Sequence, residues 1–335
     1  MTTVGATLRV GIDIGGTKTH GVVLDEAGAI VEHWRSPTGF GPRQVVAVAV
    51  AAVEQLAEQR GVKASTFASV GIGIPGRVDS RAGRVAHAVN LGVDDLDLGP
   101  QLAVLLGRAV RVENDVNAAA LGAHHLLAPS ESRSMAYLNL GTGLAAGLVL
   151  DGTLWRGARG VAGEIGHIPV DPRGELCACG QRGCLETLAS GSALARLWPE
   201  GVVDGRPPLA RELFAAAETG APAAKRAAER IIENIAAAVR ILVLTVDVDA
   251  VVIGGGLSSL GAPLLGGVRA RLSADARTSP FLASLDLGER IVLVPGGVDV
   301  AAVGAALVGA ADTAAPQRSN LARPRFVPVA PEVPV

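Results

Sequence analysis

Aromatic side chains are scarce, at 3% of 335 residues, so any core must be assembled from Ala, Val, Leu and Ile. An excess of one charge is also missing: 30 Lys and Arg stand against 32 Asp and Glu, a net charge of −2. That balance excludes the basic footprint of a dedicated nucleic-acid binder. No uninterrupted apolar run is long enough to span a membrane. The strongest stretch, Ile235–Ile253, is broken by Arg240, Asp247 and Asp249. Met1–Val10 lacks the basic-then-apolar pattern of a secretion leader. The three cysteines, Cys177, Cys179 and Cys184, all lie within eight positions. A disulfide framework is thereby excluded, and a reduced thiol cluster in a cytoplasmic protein is expected.

Glycine is what the chain has in excess: 43 residues, about twice ordinary usage, with no triplet period. Apolar residues at 49% and charged residues at 19% describe a globular chain, and its length suggests two domains or two lobes. Strand and helix signals alternate. Strands are expected at Leu8–Ile14, Gly21–Asp25, Ile30–Trp34, Val70–Ile74, Val110–Glu113, Ala250–Ile253 and Ile291–Val294. Helices are expected at Val45–Gln59, Val116–Leu127, Ala221–Thr245 and Val300–Ala311, the third carrying Ile231, Ile235, Val239 and Leu242 on one stripe. Such alternation predicts an α/β fold. From Pro316 onward the chain reads as an extended, proline-rich tail.

A strand–glycine turn–strand unit occurs twice. At a constant offset of 126, Gly15 aligns with Gly141, Gly21 with Gly147, Val23 with Val149, Leu24 with Leu150 and Asp25 with Asp151, while Asp13 meets Asn139. The duplication suggests two related lobes facing each other across a cleft. Gly15, Gly16, Thr17 and Lys18 in one turn, and Gly141, Thr142 and Gly143 in the other, could cradle phosphate oxygens, with glycine supplying positive φ. Either turn alone could be an ordinary hairpin; the second copy favours the phosphate reading. Asp13 is placed to hold Mg²⁺ through water. Gly254, Gly255 and Gly256 follow a strand and precede a helical segment, a common nucleotide position.

Gly71-Ile72-Gly73-Ile74-Pro75-Gly76 satisfies a dinucleotide fingerprint only formally, because Arg77–Gly83 reads as turn and loop instead of helix. Asp115, ending Glu113-Asn114-Asp115, is either a helix N-cap or a general base at a strand mouth. His167 with the three cysteines matches a closed Cys₃His zinc site, structural because no ligand position stays open. Glu164 and Glu186 flank it, as site carboxylates or as solvated surface charge.

Together, Asp13–Lys18, Glu113–Asp115, Gly141–Gly143, Glu164-Ile165-Gly166-His167, Cys177–Glu186 and Gly254–Gly256 resemble the ROK family of sugar kinases and related repressors, over about residues 8–312. The resemblance implies a two-lobed actin-like ATPase fold of the ribonuclease H-like class. One lobe would be residues 1–117 with 300–314, the other 118–299 with the zinc loop, and 315–335 would be the tail. It implies ATP and Mg²⁺, a structural zinc on His167, Cys177, Cys179 and Cys184, and Asp115 as the base acting on a hexose C6 hydroxyl. Gly76, Asn90, Asn114, Asp115, Glu164, His167 and Glu186 would contact the sugar, and a homodimer is implied. Glucose is the leading substrate, with N-acetylglucosamine and N-acetylmannosamine as alternatives, since Gly76 beside Arg77 would leave room at C2. A sugar-sensing repressor is disfavoured because Asp13 lies twelve residues after Met1 and the first phosphate motif is whole. Binding of nucleic acid or membrane is not expected. Ala145 and Ala146, glycine in many relatives, would narrow the second turn.

Overall fold

The computed structural model describes residues 7–128 and 132–310; the expected tail, and Ala311 at the end of the last helix, lie outside them. The first part of the chain forms β1 (Arg9–Ile14), β2 (Lys18–Leu24), β3 (Ile30–Pro37), α1 (Pro42–Gln59) and β4 (Ser69–Ile74). Then come β5 (Arg77–Asp79), β6 (Arg84–Ala88), β7 (Val93–Leu96), α2 (Leu98–Leu106), β8 (Val110–Asn114) and α3 (Asp115–Leu127). β9 (Met135–Leu140), β10 (Leu144–Leu150), β11 (Thr153–Trp155), α4 (Glu186–Ala189), α5 (Leu194–Leu197), α6 (Ala210–Glu218) and α7 (Pro222–Val246) follow. The last elements are β12 (Ala250–Gly254), α8 (Ala262–Arg277), α9 (Pro280–Ala283), β13 (Ile291–Leu293) and α10 (Val300–Ala310).

Two five-stranded sheets share one plan. The first runs β3-β2-β1-β4-β8 and the second β11-β10-β9-β12-β13. In each, an antiparallel hairpin is extended by two parallel strands: β1 on β4 and β4 on β8, then β9 on β12 and β12 on β13. The offset of 126 carries the bounds of β1 onto β9 and those of β2 onto β10. A small antiparallel sheet, β5-β6-β7, stands apart. It corrects the expectation of a loop after Pro75: a three-residue strand begins at Arg77, too short to show alternation. No helix opens there, as expected.

Each helix forms for a local reason. Pro42 starts α1 without wasting an amide, and one face of Val45, Ala49, Ala52, Val53 and Leu56 is wholly buried. In α7 the stripe Ile231, Ile235, Val239 and Leu242 lies at 0–1% exposure against the second sheet, each side chain contributing roughly 1.5–3 kcal/mol by burial. α10 packs on β1, β4 and α3. Its approach is so close that a Cβ at Gly11 or Gly71 would overlap the backbone of α10, and one at Gly304 would overlap that of α3. No helix among the described residues is long and apolar enough to cross a membrane.

Candidate functional site

The C-terminal ends of β1, β4 and β8 place the acidic candidates side by side. Asp13 pairs with Gly73, which pairs in turn with Glu113, and Ile74 pairs with Asn114. A Cβ on Gly73 would stand 3.8 Å from Asp13 Oδ1 and 3.7 Å from Asp115 Cα, so the bare backbone there lets two carboxylate-bearing segments approach. Burial, reinforced by the Asp115 and Asp299 charges and opposed by His20, pushes the Asp13 carboxyl up to about 7. Burial also raises Asp115, with the Glu164 charge adding and the Val116 N–H opposing. A raised carboxylate is a better proton acceptor, and a crowd of oxygens calls for a hard cation, so the donor chemistry around Asp13 fits Mg²⁺.

Asn114 caps α3: its Oδ1 accepts the Val116 and Asn117 N–H groups at 3.0 and 3.2 Å, and its Nδ2 donates to Gly76 O at 3.2 Å. Asp115 is therefore the first helical residue and not the cap. Its carboxyl lies over the helix N-terminus, where Val116 N–H also reaches it at 3.0 Å.

The phosphate-turn glycines keep their positions but not their expected reason. None of Gly15, Gly16, Gly141 and Gly143 has positive φ. They serve close approach instead. A Cβ on Gly15 would stand 2.9 Å from Lys18 O, and one on Gly143 would stand 2.6 Å from Glu186 Oε2. Thr17, Lys18 and Thr142 are exposed at the turns, and exposed Asn90 packs its Cβ against Gly16. Thr38, absent from the sequence expectations, donates from Oγ1 to Gly15 O at 2.7 Å. Ala145 and Ala146 lie inside β10, paired with Asn139 and Leu138, so their methyl groups do not narrow the turn. Gly255 does have positive φ, and beside it Gly254 lies under the Tyr137 ring while Gly256 faces open space. A short 3₁₀ turn, Gly256–Leu260, precedes α8.

Tyr137 was not foreseen. It is buried, and its hydroxyl is raised by desolvation and by the Asp13 and Asp115 charges, so this residue of β9 sits where the two sheets' ends meet.

Gly163 and Gly166 press the Glu164 loop onto β10, where side chains at either position would overlap the carbonyls of Ala146 and Leu144. Glu164 is exposed beside Asp115. Glu186, first residue of α4, spends Oε2 on the Leu144 N–H at 2.9 Å, leaving its other oxygen free.

His167, Cys177, Cys179 and Cys184 converge, with donor atoms within 4.8 Å of one another. Cys177 Sγ lies 3.7 Å from His167 Nδ1, and Cys179 Sγ lies 3.6 Å from Cys184 Sγ. Tetrahedral Zn–S bonds of about 2.3 Å require sulfurs roughly 3.8 Å apart, so the quartet fits zinc. Burial and the neighbouring sulfurs push the Cys184 thiol up to about 12, whereas the Gln181 backbone N–H draws Cys179 down to about 6. A divalent cation is what would let Cys184 ionise beside Cys179.

Gly76 has φ of 104°, and a Cβ there would meet Ala86 O at 2.8 Å. Packing on β6 alone thus requires a glycine at this position. Arg77 is exposed and lines a surface hollow of about 490 Å³ with Asp79, Arg84, His87 and Asp94, none of them a sugar candidate.

The family model described as ROK family matches residues 9–307. A glucokinase of Halalkalibacterium halodurans is 34% identical, over 80% of this chain and 86% of its own. An N-acetylmannosamine kinase of Citrobacter koseri is 34% identical, over 73% of this chain and 81% of its own. The crystal structure of a ROK family glucokinase from Streptomyces griseus, in complex with glucose and AMPPNP, is 32% identical with a TM-score of 0.73, covering 90% of this chain and 99% of that one.

Proposed function

This chain belongs to the ROK family and is an ATP-dependent sugar kinase, and on that premise we propose that it transfers the γ-phosphate of ATP to the C6 hydroxyl of glucose. The observation that carries the reading is the approach of Asp115, raised by burial, to Asp13 across Gly73 and to Glu164. Asp115 accepts the hydroxyl proton as the P–O bond forms. A carboxylate is a weak base for an alcohol, so transfer falls late, in a loose transition state. Gly15–Lys18, Gly141–Gly143 and Gly254–Gly256 hold the phosphates and nucleotide. Asp13 would hold Mg²⁺, which would supply charge neutralisation for phosphoryl transfer.

Asn90, Asn114, Glu164, His167 and Glu186 contact the ring hydroxyls, with the Gly76 backbone beside them, since a site built to hydrogen-bond hydroxyls rejects a sugar that leaves its polar groups unpaired. The His167–Cys177–Cys179–Cys184 quartet would hold a structural zinc, with His167 offering Nδ1, which lies 3.7 Å from Cys177 Sγ. We place the lobes at 1–117 with 300–314 and at 118–299, in a cytoplasmic homodimer.

Glucose is placed ahead of the N-acetylhexosamines because glucokinases stand among the relatives that span most of the chain, and one related solved structure holds glucose. A coupled ADP-release assay over glucose, N-acetylglucosamine and N-acetylmannosamine tests the reading. A kcat/KM favouring glucose is expected; preference for an N-acetylhexosamine overturns the substrate, and no turnover on any hexose overturns the reaction.

A further inference from the structure

Glu113 is the one charged side chain in the fully buried set of the described residues, at 2% exposure, and the reaction outlined above gives it no task. A carboxylate removed from water needs partners for its charge and its lone pairs. It has three. Oε1 accepts the Asn114 backbone N–H at 3.0 Å and Asn117 Nδ2 at 3.1 Å. Oε2 accepts Arg156 Nε at 2.7 Å, from a guanidinium that is 29% exposed.

The partners come from separate parts of the fold. Asn114 and Asn117 belong to the strand–helix junction that carries Asp115. Arg156 follows β11 in the second sheet and opens the segment leading to Glu164. The Arg156 carbonyl accepts the Ala162 N–H at 3.3 Å, closing that segment into a loop two residues short of Glu164. Burial is the main cause of the raised Asp115 carboxyl, and the Glu164 charge adds to it, so the two carboxylates repel one another. Something must hold the two carboxylates at a fixed separation against that repulsion. The Glu113–Arg156 pair is the charged link that joins their two segments.

We propose that Glu113 and Arg156 are a positioning pair for the sugar: they set the separation of Asp115 from the Glu164 loop, and thereby sugar affinity, without touching substrate. This rests on the sugar-kinase reading of the same site. The phosphate turns lie outside the link, so ATP should not sense it.

The experiment compares wild type, Arg156→Met, Arg156→Lys, Glu113→Gln and the double Glu113→Gln/Arg156→Met in one coupled assay, with melting temperatures and glucose titrations by calorimetry without ATP. Arg156→Met and Glu113→Gln are each expected to raise the glucose KM and the calorimetric Kd by about 10–50-fold. In both, kcat should fall less than about 5-fold and the ATP KM should stay within about 2-fold. Arg156→Lys, which keeps the charge, should recover most of the glucose affinity. The double variant should be no worse than the weaker-binding single one, because both remove the same link.

The proposal is overturned if glucose and ATP KM rise alike, if the melting temperature falls with glucose affinity unchanged, or if the two single effects multiply. Arg156 is partly exposed, so its variants decide the matter even if Glu113→Gln does not fold. Failure of wild type to phosphorylate hexose would instead sink the reaction itself, a result separable from any ratio between variants.

Discussion

The two glycine hairpins match strand for strand, yet they are secured by different means. The first, β1–β2, carries charge at Asp13 and Lys18 and is braced within its own sheet. Thr38, just past β3, bonds Gly15 O from its hydroxyl and Thr17 O from its amide, and Thr19 bonds the Thr38 hydroxyl at 2.9 Å. The second, β9–β10, has neutral Asn139 in place of Asp13 and borrows its braces from the segment after the thiol cluster. Glu186 takes the Leu144 N–H, Gly191 N–H donates to Gly141 O at 2.8 Å, and Ser192 N–H to Thr142 O at 3.2 Å. One backbone unit thus serves twice, once self-supporting and once dependent on a distant loop. What duplication preserved was the strand geometry, and what diverged was the charge and the source of support.

The largest expected effect removes the proposed base. Asp115→Asn should lower kcat by about 10²–10⁴ while nucleotide binding, measured by calorimetry, stays nearly intact. Retention of more than about a tenth of wild-type kcat would move the base elsewhere.

Next comes the metal. Elemental analysis is expected to find about one zinc per chain. Stripping it, or Cys184→Ser, should speed amide exchange over residues 141–146 and 186–192 while leaving 15–18 protected. Activity should drop by at least about 10-fold. Equal loss of protection in both hairpins would break the asymmetry drawn here.

Protons separate the hairpins more gently. Asp13 rises from an ordinary value of 3.8 to about 7 on folding, so between those values the native state holds a proton that the unfolded chain has lost. Its contribution to stability therefore falls as pH rises through that window. Metal-free Asp13→Asn should be more stable than wild type at pH 8 by up to a few kcal/mol, with the gap closing toward pH 4. Asn139→Ala should show no such pH dependence, and chemical denaturation across pH reads both. Smallest is Thr38→Val, which should cost about 1 kcal/mol in the same denaturation and raise the ATP KM, with sugar affinity untouched.

Much of this was legible in the residues. The repeat at 126 fixed where the hairpins sit, because β1 and β2 carry a pattern long enough to recur intact in β9 and β10. The His167–Cys177–Cys179–Cys184 cluster was legible because its residue types are rare and closely spaced. The β5–β7 sheet was not, since β5 is three residues with two exposed. The turn glycines were found for the wrong reason, because a sequence does not distinguish a need for positive φ from a need for clearance. Glu113 and Arg156, 43 positions apart, are joined only by the tertiary fold, and nothing in the Glu113–Asp115 motif points to Arg156 as its partner. The same holds for Tyr137, whose role as neighbour to both Asp13 and Asp115 depends on how two sheets meet.

The seating of α10 bears on the order of events during synthesis. Val22 and Leu24 of the first hairpin share a buried cluster with Ala302, Val303 and Ala306 of a helix that begins almost 280 residues downstream. A ribosome adding about 5–20 residues per second would leave that face of the first sheet bare for many seconds after β1–β4 have emerged. During this interval apolar strand surface is open to chaperones or to other nascent chains. Final consolidation of the first sheet must await a contact of very long sequence separation, which makes for slow folding. Yield on heterologous expression should therefore depend on translation speed and chaperone supply more than on the stability of the finished molecule.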